Sequence, residues 1–322
     1  MSNKDKWKRG LLSSGIALEL EIMRFFNIKE EVYNIYPDYS YDRYFEGQIK
    51  EFSIDLLAEY VQRQEGRIHI NLLIECKYRS KEKTWLFLPW LSKDEMILDE
   101  MMCRPVTCTD CFDIDYEDHI GQGSGEIFEF SRSFPLAFKA LELHNYSGDV
   151  YEKGVNRGAY QLLYSIPNYT YQRFDDYYGD LIYEKTHSAD GVVDIICPIL
   201  VTNADMRILN KDVSIEVLDK ATSLDEISEE VDMVSLSISK SHELKKYIDE
   251  LNQRELTKQI DYLENQRSHS DEKERLKSQL FRLKTSINAN GVLVCNLKSF
   301  EELVGMIENL AISISSSKKN RF

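Results

Sequence analysis

Asp55, Glu75 and Lys77 are the residues whose types and spacing point most directly to chemistry. Glu75 and Lys77 flank Cys76 in a Glu-x-Lys triplet within the apolar run 68–78, and Asp55 lies in the apolar run 51–61 that precedes it. Hydrolysing a phosphodiester near neutral pH needs positive charge against the transition state and an activated water; a divalent cation held by carboxylates supplies both. Magnesium is a hard ion that prefers oxygen, so two carboxylates on adjacent strands with a backbone carbonyl, here that of Cys76, make a partial cage. The Lys77 ammonium could orient the water, hold a phosphate oxygen and offset repulsion between substrate and carboxylates. The cofactor expected is Mg2+, with Mn2+ as a substitute. The plain alternative is an ordinary strand-end ion pair between Glu75 and Lys77, beside an acid that flanks a turn.

These side chains need strands to carry them. The runs 51–61 and 68–78 are rich in β-branched and aromatic residues, and 62–67 between them contains Gly66, a hairpin pattern. Alternation puts Glu75 and Lys77 on one face, with Leu72, Ile74 and Cys76 on the other. It also groups Glu51, Ser53 and Asp55 away from Phe52, Ile54 and Leu56, so that Asp55 faces Glu75. Ile16, Leu18, Ile22, Phe25 and Phe26 predict a helix over 14–26, capped by Ser13 or Ser14. Residues 83–88 read as a strand and 157–164 as part of a helix. The nearly continuous apolar run 192–202 predicts a strand buried on both faces, with Pro198 marking a bulge or an edge. Ser223 with Glu226, and Ser299 with Glu302, fit capping boxes.

From about residue 239 the chain becomes charged and helix-forming. Leu244, Ile248 and Leu251, then Leu256, Ile260 and Leu263, then Leu276, Leu280, Leu283 and Ile287 keep three-and-four spacing. The polar stretch 267–271 interrupts this stripe, which favours a helical hairpin over one long coiled coil. Such an arm, too thin to bury its own stripe, predicts a homodimer or larger homo-oligomer. Residues 291–296 return to strand character before a last helix and a frayed tail.

Composition narrows the function classes. The formal charge of −15 excludes a protein that coats nucleic acid through a broadly basic surface, so any such contact must be local. The local candidates are Arg79, Lys81 and Lys83, a basic run just beyond Lys77 that could track a phosphate backbone. No apolar run approaches the roughly 20 residues needed to span a bilayer, and the first residues are polar, so the expectation is a cytoplasmic protein without a membrane partner. Six scattered cysteines imply reduced thiols. Cys103, Cys108, Cys111 and His119 contain a single C-x-x-C pair, where structural zinc sites usually show two, so no zinc is expected. The tyrosine clusters over 33–44 and 164–178 are read as packing rather than base stacking.

Four segments, Ser14-Gly-Ile-Ala-Leu-Glu19, Glu51-Phe-Ser-Ile-Asp55-Leu-Leu-Ala58, Leu73-Ile-Glu75-Cys-Lys77-Tyr-Arg79 and Pro198-Ile-Leu-Val-Thr202, occur in that order. Together, over about residues 10–205, they resemble the PD-(D/E)xK nuclease superfamily in its restriction-endonuclease-like, Mrr-type branch. The resemblance implies an α/β fold with a mixed central sheet flanked by helices. It implies Asp55 and Glu75 as metal ligands, Lys77 as catalytic, and Glu19 as the helical glutamate that assists the metal; spacing alone would serve Glu21 equally. Where the family often has Pro before the first Asp, this chain has Ile54, and Gln161 and Tyr164 are one residue short of a helical pair found in some members and take no catalytic role. The activity implied is Mg2+-dependent endonucleolytic cleavage of DNA in bacterial antiviral defence. The alternatives are a catalytically silent scaffold that binds nucleic acid or a partner protein, and a small regulatory or toxin-like component of a defence system whose helical arm binds a partner subunit that holds the nuclease in check. On this reading residues 1–215 form the nuclease-like domain, 216–238 a connection, 239–290 the helical C-terminal arm and 291–322 a strand, a helix and the tail.

Overall fold

A computed structural model of the chain describes residues 6–29, 32–45, 48–62, 68–91, 105–109, 124–184, 193–238, 241–265, parts of 274–287, and 291–319. Helices α1 (Lys6–Ser13) and α2 (Ile16–Asn27) lead into a meander of β1 (Val32–Phe45), β2 (Gln48–Gln62) and β3 (Ile68–Lys77). Next come β4 (Lys83–Pro89), β5 (Thr107–Thr109), α3 (Ser124–Arg132), β6 (Leu136–His144), β7 (Val150–Tyr151) and the long helix α4 (Lys153–Glu184). The chain continues through β8 (Val193–Thr202), β9 (Asp205–Leu209), α5 (Ile215–Lys220), β10 (Ser228–Glu230) and β11 (Met233–Ser237). It ends with α6 (His242–Asn265), β12 (Gly291–Asn296) and α7 (Phe300–Lys319).

Among the described residues, twelve strands form one sheet in the order β1-β2-β3-β8-β12-β11-β6-β4-β9-β10, with β5 beside β8 and β7 beside β6. β2 pairs antiparallel with β3, while β3, β8 and β12 run parallel, so the sheet is mixed. Helices cover both faces. Val155, Leu162 and Phe174 of α4 and Leu244 and Leu251 of α6 pack into one core; Leu18, Ile22 and Phe26 of α2, Phe130 of α3 and Leu303 and Ile307 of α7 pack into the other. This is the α/β class with helices on each side of a mixed sheet. No helix among the described residues is long and apolar enough to cross a membrane.

Several elements differ from their sequence reading. The tyrosine-rich stretch 32–45 is a full strand, aromatic enough to favour extended backbone although Pro37 and Asp38 interrupt it. Helix α2 opens on Gly15 in a left-handed conformation, without a side-chain cap from Ser13 or Ser14. At the Ser223 box a 3-10 turn forms without a side-chain cap from Ser223, and the Glu226 carboxylate accepts from the N–H and hydroxyl of Thr222 instead. β8 is central, neither bulged nor at an edge. Its flank opposite β3 is paired by β5 up to Ile196 and by β12 from Ile199, so Pro198 falls in the gap between those partners, where a missing N–H disturbs neither ladder.

The C-terminal helical segment is no free arm. Leu244, Ile248, Leu251, Leu280, Leu283 and Ile287 are buried in the same core as Leu162 and Tyr164 of α4, and the Tyr171 hydroxyl donates to Asn252 Oδ1 at 2.8 Å. The cause is topological: β12 returns to the middle of the sheet, so the helices that lead to it must lie on the sheet's face. Of the stripe that argued for self-association these six residues are covered by the chain itself, Leu256 and Ile260 are partly covered, and the side chains of Leu263 and Leu276 lie outside the described residues; the sheet draws strands from 1–215, 216–238 and 291–322 alike. Leu251→Ala and Leu283→Ala should each lower the unfolding free energy by about 2–5 kcal/mol in urea titrations, with the sedimentation coefficient of the native protein unchanged. A variant that changes sedimentation and keeps its stability would contradict this packing.

Candidate active site

The β2–β3 ladder runs from Leu56↔Ile74 outward, and one further step sets Asp55 opposite Glu75. The Cys76 backbone N–H donates to Asp55 Oδ2 at 2.6 Å, and Lys77 Nζ pairs with Glu75 Oε1. The three residues meet as expected, but not by simple alternation. Ile54 lies in the core under α4, whereas Leu56 lies in the core under α2. Residues two apart on a regular strand share a face, so β2 turns over at Asp55. β1 does the same alongside it: Ile35 packs on the α2 side and Tyr39 and Tyr41 on the α4 side. Between them stands Asp38, with φ 51°.

Glu19 reaches the site from α2. Gly15, at φ 85°, lets the chain turn into that helix, and a Cβ there would stand 3.3 Å from Glu19 Oε1 and 3.8 Å from the Cys76 carbonyl oxygen. The Glu19 carboxylate and the Cys76 carbonyl thus flank the same small space. Beyond β3, Thr202 Oγ1 donates to the Lys77 carbonyl at 2.8 Å, and Asn203 bonds both the N–H and the carbonyl of Arg79, so the end of β8 fixes the chain as it leaves the site.

The first turns of α4 lie over the pair. A Cβ on Gly158 would come within 2.8 Å of Leu200 Cδ1, 3.1 Å of Lys77 Cε and 3.4 Å of Glu75 Cγ. With alanine there, the Leu200 and Lys77 side chains would have to give way for the helix to lie this close. Gln161 on the same helix donates to the Ser53 carbonyl at 3.3 Å, which ties α4 to β2 beside Asp55. Gly158, Asn203 and Asp38 carried no sequence signal of their own beyond the Gly154/Gly158 spacing, which puts two small residues on one helix face.

Electrostatically, the site holds more negative charge than its one ammonium balances. Glu75 is fully buried, and burial pushes its carboxyl up to about 7 against the pull of Lys77, with the Asp55 charge adding to the rise. Burial also raises Asp55, opposed by the Cys76 N–H and Lys77, and it raises Glu19, to which the Asp55 and Asp38 charges contribute. Glu75 Oε2 is buried with no hydrogen-bond partner. No three His, Cys, Asp or Glu side chains among the described residues converge as a ready-made metal site. Two carboxylates and a carbonyl are nevertheless a set that magnesium takes while keeping several waters. Asp55, Glu75 with its unpartnered Oε2, and the Cys76 carbonyl fit that donor set.

The basic run behaves differently from its reading. Arg79 and Lys83 both turn onto buried Glu142, which also accepts from Trp85 Nε1 at 3.3 Å. Although burial pushes Glu142 up, the Lys83 and Arg79 hydrogen bonds outweigh it and hold the carboxyl below its ordinary range. These two cations are committed inside the fold, while Lys81 is exposed. Cys103, Cys111 and His119 lie outside the described residues, and Cys108 sits in β5. Comparison with protein-family models, curated proteins and solved structures finds no match for this chain.

Two predictions follow from the geometry. Because Glu75 titrates near 7 in the fold against an ordinary 4.5, the folded state holds a proton that the unfolded chain has lost between those values. Stability in EDTA should therefore fall as pH rises from about 5 to about 7, and Glu75→Gln should flatten that slope; equal slopes in the two proteins would contradict it. Gly158→Ala should cost about 1–3 kcal/mol of stability in chemical denaturation, and a neutral effect would mean that α4 sits higher than described.

Proposed function

We propose that this chain is a metal-dependent nuclease that hydrolyses phosphodiester bonds in DNA. The observation that carries the reading is the meeting of Asp55, Glu75 and Lys77 at one point of the sheet, with a fully buried Glu75 whose second oxygen lacks a partner. Buried carboxylates cost several kcal/mol unless paired, and one left half-satisfied in a cluster of like charge is a candidate functional group.

Asp55, Glu75 and the Cys76 carbonyl would hold the cation, with Glu19 at its flank. When bound, a magnesium ion supplies positive charge to the phosphoryl oxygens and acidifies water. Lys77, paired on one side with Glu75 and partly exposed on the other, keeps an ammonium beside the carboxylates without entering their ligand set. From there it can donate to a phosphate oxygen or orient a water for in-line attack. Gly158 and the end of β8 keep that ammonium in place. The reading needs no second copy of the chain. A cytoplasmic defence role against foreign DNA is the setting that the sequence resemblance supports.

The test is cleavage of supercoiled, linear and single-stranded DNA in Mg2+ or Mn2+. Asp55→Ala, Glu75→Ala and Lys77→Ala should each cut the rate by about a hundredfold or more, Glu19→Ala by less, and Ca2+ should support DNA binding without cleavage. If the wild type binds DNA but never cuts it, the scaffold reading takes over; if folded variants cut as fast as wild type, the site is elsewhere.

A further inference from the structure

We propose that Arg157, on the first turns of α4, holds a backbone phosphate of the nucleic acid at the mouth of the site. The inference rests on the nucleic-acid half of the reading above and is indifferent to the chemistry performed there.

Contacts along α4 fix where Arg157 stands. Residues 157, 161, 164 and 168 follow one another at helical spacing and so share a face. Gln161 Nε2 donates to the Ser53 carbonyl at 3.3 Å, the Arg43 guanidinium lies 3.6 Å from the centre of the Tyr164 ring, and Asn168 Oδ1 accepts from the Tyr39 hydroxyl at 3.4 Å. All three partners belong to β1 or β2, so this face looks toward the strand that carries Asp55. The sheet-facing side gives the position along the helix: Tyr169 meets Asn71, Gly158 lies against Glu75 and Lys77, and Gly154 against Arg79. α4 thus runs antiparallel to β3, with its first turns over the end of that strand. Arg157, next to Gly158 and one turn before Gln161, flanks Lys77 on the Asp55 side.

Its lack of a partner separates it from the other cations here. Lys77 is paired with Glu75, and Arg79 and Lys83 with Glu142. Arg157 is exposed and has no carboxylate partner among the described residues. Its helical neighbours three and four positions away are Lys153, Gly154, Tyr160 and Gln161, none of which can supply one. A chain of formal charge −15 can meet a polyanion only through local positive charge, and a guanidinium held at the rim of the site provides it. Its planar fork takes two oxygens of one phosphate, which fixes orientation as well as charge.

Fluorescence anisotropy with a labelled DNA duplex and its single strand in Ca2+, repeated at increasing NaCl, tests this on wild type, Arg157→Ala, Arg157→Lys and Lys220→Ala. Lys220 is an exposed cation on α5, between the edge strands β9 and β10, and controls for net charge. Arg157→Ala should bind about tenfold or more weakly, and its logarithmic salt dependence should be shallower by about one. Arg157→Lys should keep the wild-type slope and recover part of the affinity, while Lys220→Ala should bind like wild type. An Arg157→Ala variant that matches Lys220→Ala in affinity and slope would overturn the inference, and so would equal loss in Arg157→Ala and Arg157→Lys with the slope unchanged. Wild-type cleavage in Mg2+ alongside either result would leave the nuclease reading standing. The expected binding pattern without any cleavage would uphold the role of Arg157 and remove the nuclease reading, and a wild type that binds no DNA would sink both.

Discussion

A carboxylate inside a protein loses the hydration that stabilises its charge, and the loss amounts to several kcal/mol unless cations or hydrogen bonds replace the water. Glu75 is such a group, without measurable exposure at the centre of the sheet. One of its oxygens is met by Lys77, and the other by nothing. Most of the surrounding architecture can be understood from that fact. Lys77 must stay close, so the helix above it carries glycine at 158; Asp55 is steadied by the Cys76 N–H; and the exit of β3 is held by Thr202 and Asn203.

The helix that bears Gly158 is positioned from its far end. The Tyr169 hydroxyl lies between Glu59 Oε1 and Asn71 Oδ1, the latter at 2.7 Å, with one proton to give to either, while Asn71 donates to Asp194 Oδ1 at 2.9 Å and Arg173 Nε to the same oxygen at 3.2 Å. This network joins α4 to β2, β3 and β8, the three strands that meet around the site. Buried networks of this kind add little net stability, yet only one placement of the helix satisfies all their members. Near the other end, Arg79 and Lys83 on Glu142 sit under Gly154. Polar anchors at both ends fix how α4 lies, and the glycines fix how closely it lies.

What was readable in the sequence was local. The Glu-x-Lys triplet, the hairpin before it and the helix with Glu19 are patterns of neighbouring residues, and the hairpin register is enough to bring Asp55 opposite Glu75. The turnover at Asp55 was not readable, because it arises from a matching irregularity at Asp38 on a different strand. The fate of Arg79 and Lys83 was hidden for the same reason: Glu142 lies on β6, far along the chain. The stripe of α6 was identified correctly as apolar, but its packing against α4 was not foreseen, since nothing local says that residues 291–296 re-enter the sheet between β8 and β11. Pattern shows which side chains avoid water; topology decides what they meet instead.

Charge adds one more constraint on the proposed reading. The chain carries a formal −15, and of the three cations of the basic run that could have met a phosphate backbone beside the site Arg79 and Lys83 are paired with Glu142, which leaves Lys81 exposed. Without a bound cation, Glu19, Asp38, Asp55 and Glu75 form an anionic patch facing a polyanion, and Lys77 alone cannot reverse its sign. Divalent cation and nucleic acid must then favour each other's binding, because each removes a repulsion that the other would face. Linkage makes this reciprocal: whatever factor the cation adds to affinity for the polyanion, the polyanion adds to affinity for the cation. On the proposed reading, the carboxylates that burden the metal-free fold would also repel nucleic acid until an ion is bound, so substrate affinity and ion affinity would rise together.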